Sequence, residues 1–232
     1  MYCEPFGGAG WILFAKGGNA HDWRISTKPN YKEVFNDING DLINFWRHIK
    51  YHPDAFHKEL DQYVASREVF KDMLTIKPRT ELERAIFFYY KLACSFGALS
   101  RTFAVRGGTK KVPLFNQDKV KKASERLQEV IIDNLSFEKL ITKYDREFSF
   151  FYVDPPYYEK EGPYKRDSVE VFSQHEELYQ VLSKTKGKWL LSYNDHPFIR
   201  ELYKEFEITE VETMYSLSGE TKPKTEILIK NY

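Results

Sequence analysis

The feature that most constrains this chain is an apolar run, Phe148-Ser149-Phe150-Phe151-Tyr152-Val153, stopped at once by Asp154-Pro155-Pro156-Tyr157. A short run rich in aromatic and β-branched residues reads as a buried strand. Two prolines cannot extend it, because they lack an N–H donor and fix φ. The chain therefore leaves a strand abruptly, carrying one acid and one aromatic ring to its carboxyl end. In open α/β sheets that edge is where ligands bind. An acceptor carboxylate, a rigid carbonyl and a stacking ring in one small region suit a flat heterocycle with an exocyclic amine.

The rest of the chain alternates strand and helix. Residues 33–37 read as a second strand ending in an acid, and residues 41–50 carry a helical apolar stripe of Leu42, Ile43, Phe45, Trp46 and Ile49. Trp11 to Ala15 reads as a short helix after a glycine turn, and residues 16–30 as a loop. Pro53 breaks the stripe; residues 54–74 read as one helix and residues 80–96 as another, with Thr80 and Glu83 spaced as a capping box. Residues 97–116 read as irregular or hairpin-like around Gly107-Gly108, and residues 118–130 as a basic helix. Residues 136–141 read as a turn and short helix, residues 159–171 as a charged loop and residues 175–183 as a helix. The strand Lys188-Trp189-Leu190-Leu191-Ser192-Tyr193 leads into a helix opened by Asn194-Asp195-His196-Pro197. Residues 206–215 and 225–232 read as a closing hairpin. This order predicts an α/β fold with a mostly parallel sheet, an antiparallel edge, and a smaller helical, basic lobe inserted between about residues 53 and 116.

Composition narrows the function classes. The chain has 232 residues and a net charge of +1, which does not by itself announce a nucleic-acid partner. Local charge says more: residues 101–126 hold eight basic side chains against two acidic ones, a balance of +6. Such a cluster can track a phosphate backbone or form a solvated helix face. Two cysteines outside any CxxC pair argue against a disulfide framework or a zinc site. His48, His52 and His57 lack the glutamate spacing of a zinc-protease helix, so no metal is expected. No stretch is long and apolar enough to span a membrane, and no signal peptide is recognisable, which makes the cytoplasm the expected compartment.

Two further motifs bear on ligand binding. Phe6-Gly7-Gly8-Ala9-Gly10 lies on the first strand-to-helix turn, where backbone can approach a cofactor unobstructed. Asp37 ends the second strand, 27 residues after Gly10, where an acid accepts hydrogen bonds from ribose hydroxyls. Each signal alone fits an ordinary turn or helix cap. In this order, with Asp154-Pro155-Pro156-Tyr157 downstream, they reinforce one another.

Taken together, these segments resemble the Dam family of DNA N6-adenine methyltransferases, which use S-adenosylmethionine. Glu4-Pro5-Phe6-Gly7-Gly8-Ala9-Gly10 resembles the cofactor-binding glycine motif. Asn36-Asp37-Ile38-Asn39-Gly40-Asp41-Leu42 resembles the second-strand segment whose acid holds the cofactor ribose. Asp154-Pro155-Pro156-Tyr157 matches the catalytic motif, and Trp189-Leu190-Leu191-Ser192-Tyr193-Asn194-Asp195 resembles the late strand that lines the target-base pocket. Three departures stand out. The Lys-Trp-Ala-Gly-Gly-Lys-like segment usual before the glycine motif does not precede it here. Ser136-Phe137 stands where an Asp-Phe pair often reaches the cofactor adenine. Ser95-Phe96-Gly97-Ala98-Leu99-Ser100-Arg101 echoes the recognition-lobe pattern only loosely.

The resemblance implies a Rossmann-like sheet with helices on both faces, a cofactor-binding catalytic domain over 1–52 and 117–232, and a target-recognition insertion over 53–116. It implies Asp154, Pro155, Pro156 and Tyr157 as catalytic residues. It implies Glu4, Pro5, Phe6, Gly7, Gly8, Gly10, Asp37, Ser136, Phe137 and Asp154 around S-adenosylmethionine. Tyr158 and Tyr193 are the further base-pocket candidates, and Arg101, Arg106, Lys110 and Lys111 the candidates for DNA contact. The expected partner is double-stranded DNA and the expected state a monomer. The same pocket chemistry also suits cytosine N4 or RNA, and a DNA-binding homologue impaired by the absent N-terminal segment is the alternative outside catalysis.

Overall fold

The structure is a computed structural model that describes residues 1–16, 31–95, 100, 102–104, 117–158, 172–217 and 220–232. Seven strands and nine helices occur among the described residues. In chain order they are β1 (Tyr2–Glu4), α1 (Trp11–Ala15), β2 (Glu33–Asn36), α2 (Gly40–Tyr51), α3 (Pro53–Leu60), α4 (Arg67–Thr75), α5 (Glu81–Ala93), α6 (Gln117–Leu127), β3 (Val130–Asp133), α7 (Phe137–Tyr144), β4 (Phe150–Val153), α8 (His175–Leu182), β5 (Lys188–Asn194), α9 (Pro197–Leu202), β6 (Glu207–Leu217) and β7 (Glu220–Lys230).

The sheet order is β3-β2-β1-β4-β5-β7-β6. The pairs β1–β2, β1–β4 and β4–β5 are parallel, while β5–β7 and β6–β7 are antiparallel. The chain steps outward from β1 to β2, then returns to lay β4 on the other side of β1. That reversal is the topological switch point of a Rossmann-like sheet, and ligands bind outside the carboxyl ends of the strands that flank it.

Two compact units divide the chain. The first comprises Met1–Gly7, Glu33–Asn36 and Leu135–Tyr232; the second comprises Gly8–Lys32 and Asp37–Asn134. In the first, alternate strand residues form one apolar face: Cys3, Val34, Phe151, Val153, Trp189, Leu191, Tyr193, Ile227 and Ile229. Against it pack Phe137, Leu140 and Ile141 of α7, Leu178 and Leu182 of α8, and Ile199 of α9. The strict alternation keeps Tyr152, Asp154 and Ser192 off this apolar face. Trp189 satisfies its buried indole N–H on the Leu182 carbonyl at 3.0 Å.

In the second unit, side chains of the loops set the helix starts. Asn39 caps α2 by accepting from the Asp41 and Leu42 amides, and Thr80 caps α5 by accepting from Glu83 N–H at 3.0 Å. The reciprocal Glu83 bond goes to the Arg79 amide, one residue before the cap. The helix expected over 54–74 is instead two, α3 and α4. Ser66 starts the second by capping Glu68 and Val69. The buried Tyr90 hydroxyl pins the break, donating to the Val64 carbonyl at 2.8 Å and accepting from Ser66 N–H at 3.0 Å. The basic helix expected over 118–130 ends at Leu127, and Val130 opens β3. The closing hairpin is present as β6 and β7, paired through eleven positions. No helix among the described residues is long and apolar enough to cross a membrane.

Candidate active site

Sheet register decides what stands at the end of β4. Val153 pairs with Leu191, so Asp154, the first residue beyond β4, stands beside Ser192, which is still within β5. Ser192, itself buried, donates its hydroxyl hydrogen to Asp154 Oδ1 at 2.7 Å, with a weaker 3.5 Å approach to the Val153 carbonyl. The Asp154 residue is nevertheless exposed. Tyr152, pushed above its ordinary value by burial, also hydrogen-bonds with Ser192 and lies near the charges of Asp154, Glu4 and Glu226.

Beyond Asp154, Pro155 is buried, Pro156 exposed and Tyr157 half-buried. The Tyr157 ring lies 6.1 Å from that of Tyr193. The loop's far end is fastened too: Asn194 Nδ2 donates to the Tyr158 carbonyl at 3.0 Å. The Tyr158 ring stacks on Phe198 at 4.6 Å and sits beside His196 and His175. Tyr193 is fully buried, its hydroxyl 2.6 Å from His175 Nδ1. Burial pushes the Tyr193 phenol up. It pulls the His175 imidazole down, against a hydrogen bond to the Phe172 main chain and the charge of Glu177. A ring with no exposed surface backs Tyr157 rather than offering its own face.

At the end of β1, Glu4 is buried and accepts from the Tyr2 hydroxyl at 2.7 Å. Phe6 stacks on Phe137 at 5.5 Å, and Phe172 meets it edge-on at 5.6 Å. Ser136 is the N-cap of α7 without a side-chain capping bond, and Phe137 is buried at the helix's first position. Asn36 ties the neighbouring segments together. Its side-chain amide donates to the Pro5 and Leu135 carbonyls, both at 2.9 Å, and its Oδ1 accepts from Leu135 N–H at 2.8 Å. Its own carbonyl accepts from Gly7 N–H at 2.7 Å. A Cβ on Gly7 would overlap the Phe35 ring and stand 2.8 Å from that carbonyl oxygen.

In the second unit, Gly8 and Gly10 take left-handed φ values of +52° and +73°. Glycine adopts these without the steric cost other residues meet. A Cβ on Gly8 would meet nothing within 4 Å, so one side of the turn is open. Gly8 N–H donates to Asp37 Oδ2 at 3.0 Å and Asn39 N–H to Oδ1 at 2.8 Å. Burial holds the Asp37 carboxyl above its ordinary value, although the amides of Asn39, Gly8 and Ile38 pull the other way. The next side chain, Ile38, is 69% exposed.

Arg101, Arg106, Lys110 and Lys111 lie outside the described residues. Of the other cations in the basic segment, Lys119, Lys121 and Lys122 are exposed on α6, whereas Arg126 is buried and donates to the Leu13 carbonyl at 2.9 Å. Arg126 is therefore structural. Among the described residues no three metal-ligating side chains gather; His48 hydrogen-bonds to the Asn44 carbonyl and His57 pairs with Asp61.

Residues 1–217 match the family model described as D12 class N6 adenine-specific DNA methyltransferase. The chain belongs to this family. Among curated proteins it is 29% identical to the type II methyltransferase M1.LlaDCHI of Lactococcus lactis subsp. cremoris, over all of this chain and 86% of that protein. It is 25% identical to the type II methyltransferase M.CviBI of Paramecium bursaria Chlorella virus NC1A, over all of this chain and 89% of that protein. A DNA adenine methylase of Haemophilus influenzae is 24% identical over 97% of this chain and 81% of its own length. This methyltransferase is thus an enzyme of DNA adenine methylation, whose reaction needs a methyl donor and a DNA substrate.

Several residues around these motifs escape sequence reasoning. Ser192 and Asn194 lie within a quoted motif, but only the register shows what they hold. Asn36 looks like a strand residue beside a more conspicuous acid, and His175 like the start of a surface helix.

Proposed function

We propose that this methyltransferase takes S-adenosylmethionine as methyl donor and acts on an adenine flipped out of double-stranded DNA, with the Asp154 carboxylate and the Pro155 carbonyl receiving the exocyclic amine. The observation that carries the reading is Asp154 itself: an exposed acid at the end of β4, beside the switch point, with one oxygen held by Ser192. Adenine's exocyclic nitrogen is a weak nucleophile because its lone pair is delocalised into the ring. Acceptors on its two hydrogens favour a pyramidal nitrogen with a freer lone pair. Asp154 and Pro155 have that role, and Tyr157 that of stacking on the base, with Tyr158 and the buried Tyr193 behind it. Base stacking is worth about 1–3 kcal/mol, comparable to the few kcal/mol that flipping costs. A methylated exocyclic amine loses its proton readily, so Asp154 needs to be an acceptor rather than a strong base.

The residues present fit the donor. The left-handed turn at Gly8 is open on one side, Asp37 follows β2, and Ile38 offers exposed apolar surface. In this reading the Gly8 and Gly10 turn and Asp37 hold the nucleoside portion. The likeness to the family assigns Glu4, Pro5, Phe6, Gly7, Ser136, Phe137 and Asp154 to the same cofactor. When bound, S-adenosylmethionine supplies a methyl group activated on a sulfonium. The chain's own residues position the amine and stabilise charge.

Residues 53–116 serve target recognition and residues 1–52 and 117–232 catalysis. Arg101, Arg106, Lys110 and Lys111 contact phosphates; neutralising them would flatten the salt dependence of DNA binding by close to one unit per lost contact. The type II relatives support a place in restriction–modification. We take the enzyme to be cytoplasmic and monomeric. The test is transfer of labelled methyl groups from S-adenosylmethionine to duplex DNA, single-stranded DNA and RNA. Label on duplex DNA, recovered as N6-methyladenine, is the expected result; label on RNA alone, or recovered as N4-methylcytosine, overturns the reading.

A further inference from the structure

We propose that Ser192 is a positioning residue for Asp154, and that β5 braces both ends of the Asp154–Tyr158 loop through Ser192 and Asn194. This rests on the assignment of Asp154 to the target amine. A strand that ends in Asp-Pro-Pro has no main-chain amide to offer its own carboxylate for the next two residues, because neither proline carries an N–H. An aspartate can usually be steadied by amides one or two positions on. Pro155 and Pro156 cannot steady Asp154 in this way, which leaves room for a donor from another strand.

The parallel register supplies it. Val153 opposite Leu191 puts Ser192 beside Asp154, and the alternation that buries Leu191, Tyr193 and Val153 in the core turns Ser192 toward the acid. The bond is 2.7 Å and its donor is 4% exposed, so water does not compete freely for the hydroxyl. Two residues further along the same face, Asn194 Nδ2 holds the Tyr158 carbonyl at 3.0 Å. One strand thus fixes the carboxylate at the loop's start and the main chain at its end, with Tyr157 carried between them. Fixing Oδ1 on Ser192 settles the rotation of the carboxylate plane and hence where it meets an incoming amine. Misplacement of a catalytic group by about 1 Å can cost on the order of 100-fold in rate.

The experiment measures single-turnover methyl transfer to duplex DNA by the wild type, Ser192→Ala and Ser192→Thr, with kcat and KM for both substrates and a thermal melt of each protein. Loss of the brace lowers kcat in Ser192→Ala by roughly 10- to 100-fold with KM values and the melt little changed. Ser192→Thr, which keeps a hydroxyl, restores most of the rate. A merely structural Ser192 would instead lower the melt or raise KM, and Thr would give no selective recovery of kcat; either result overturns the proposal. Equal kcat in wild type and Ser192→Ala overturns it while leaving the assignment of Asp154 standing. No transfer by the wild type overturns that assignment, and the positioning role of Ser192 with it.

Discussion

Asp37 and Asp154 each follow a parallel strand, yet they are held by different kinds of donor. Asp37 accepts from main-chain amides, among them those of Gly8 and Asn39. Asp154 accepts from a side chain, the Ser192 hydroxyl on the neighbouring strand. Main-chain donors persist through most substitutions, provided the backbone conformation that aims them survives. A side-chain donor vanishes with a single residue. The first acid is therefore sensitive to glycine geometry and the second to the identity of its neighbour. The difference suits their proposed roles. A ribose holder needs a permanent cradle, while an acid that meets the reacting amine must stay exposed and still be aimed.

The largest expected effect separates these roles directly. Asp154→Ala should slow methyl transfer by about 10²–10³-fold, the usual cost of losing one charge-stabilising group at a reacting centre. Because the residue is exposed, its unfolding free energy by urea titration should stay within roughly 0.5 kcal/mol of wild type. Asn36→Ala should do the reverse. It strips partners from the Pro5 and Leu135 main chain and should cost about 2–3 kcal/mol of stability by denaturant titration.

Next come the two adjacent glycines. Gly7→Ala forces a methyl group into the Phe35 ring and the Asn36 carbonyl, for a loss of about 1–3 kcal/mol. Gly8→Ala meets open space, so only the left-handed φ is penalised, at about 1–2 kcal/mol. Its sharper signature would be weaker cofactor binding, as the amide that feeds Asp37 shifts. If Gly8→Ala proved the more destabilising, the crowding at Gly7 would be relieved by movement of Phe35.

The smallest effect is a pH dependence. Burial raises the Asp37 carboxyl above its ordinary value of 3.8. The folded state therefore binds this proton more tightly than the unfolded state. Its stabilising contribution is complete below the unfolded value and is lost as pH rises through the folded one. Asp37→Asn removes that slope, so the difference in urea midpoint between variant and wild type should shift in the variant's favour as pH rises from about 4, then level off. A difference that moved against the variant with rising pH would mean that the amides, not burial, govern the carboxyl, and one independent of pH would mean that the two cancel.

Much of this contrast could be read from the chain, and the unread part has one cause. The glycine turn, the acid after β2, the proline-stopped strand and the C-terminal hairpin are all local patterns, and each stands where the sequence puts it. What escaped was set by partners distant in sequence. The break between α3 and α4 depends on Tyr90, 24 residues beyond Ser66. The start of β3 at Val130 is bound to the buried Lys50 ammonium, which donates to the Val130 carbonyl at 2.7 Å from 80 residues away. Ser192 reads as one polar residue in an apolar strand until the β4–β5 register brings it against Asp154, 38 residues earlier. Arg126 counted toward a basic patch, yet its guanidinium is spent on the Leu13 carbonyl.

The most direct test of the account is the rate of N6-methyladenine formation in a single turnover, measured against S-adenosylmethionine concentration for wild type, Asp154→Ala and Asp37→Asn on the same duplex. The account predicts that Asp154→Ala lowers the plateau by about 10²–10³-fold. It predicts that Asp37→Asn keeps the plateau and moves the half-saturation point upward by about tenfold, the worth of one charged hydrogen bond. A plateau unchanged in Asp154→Ala would contradict it.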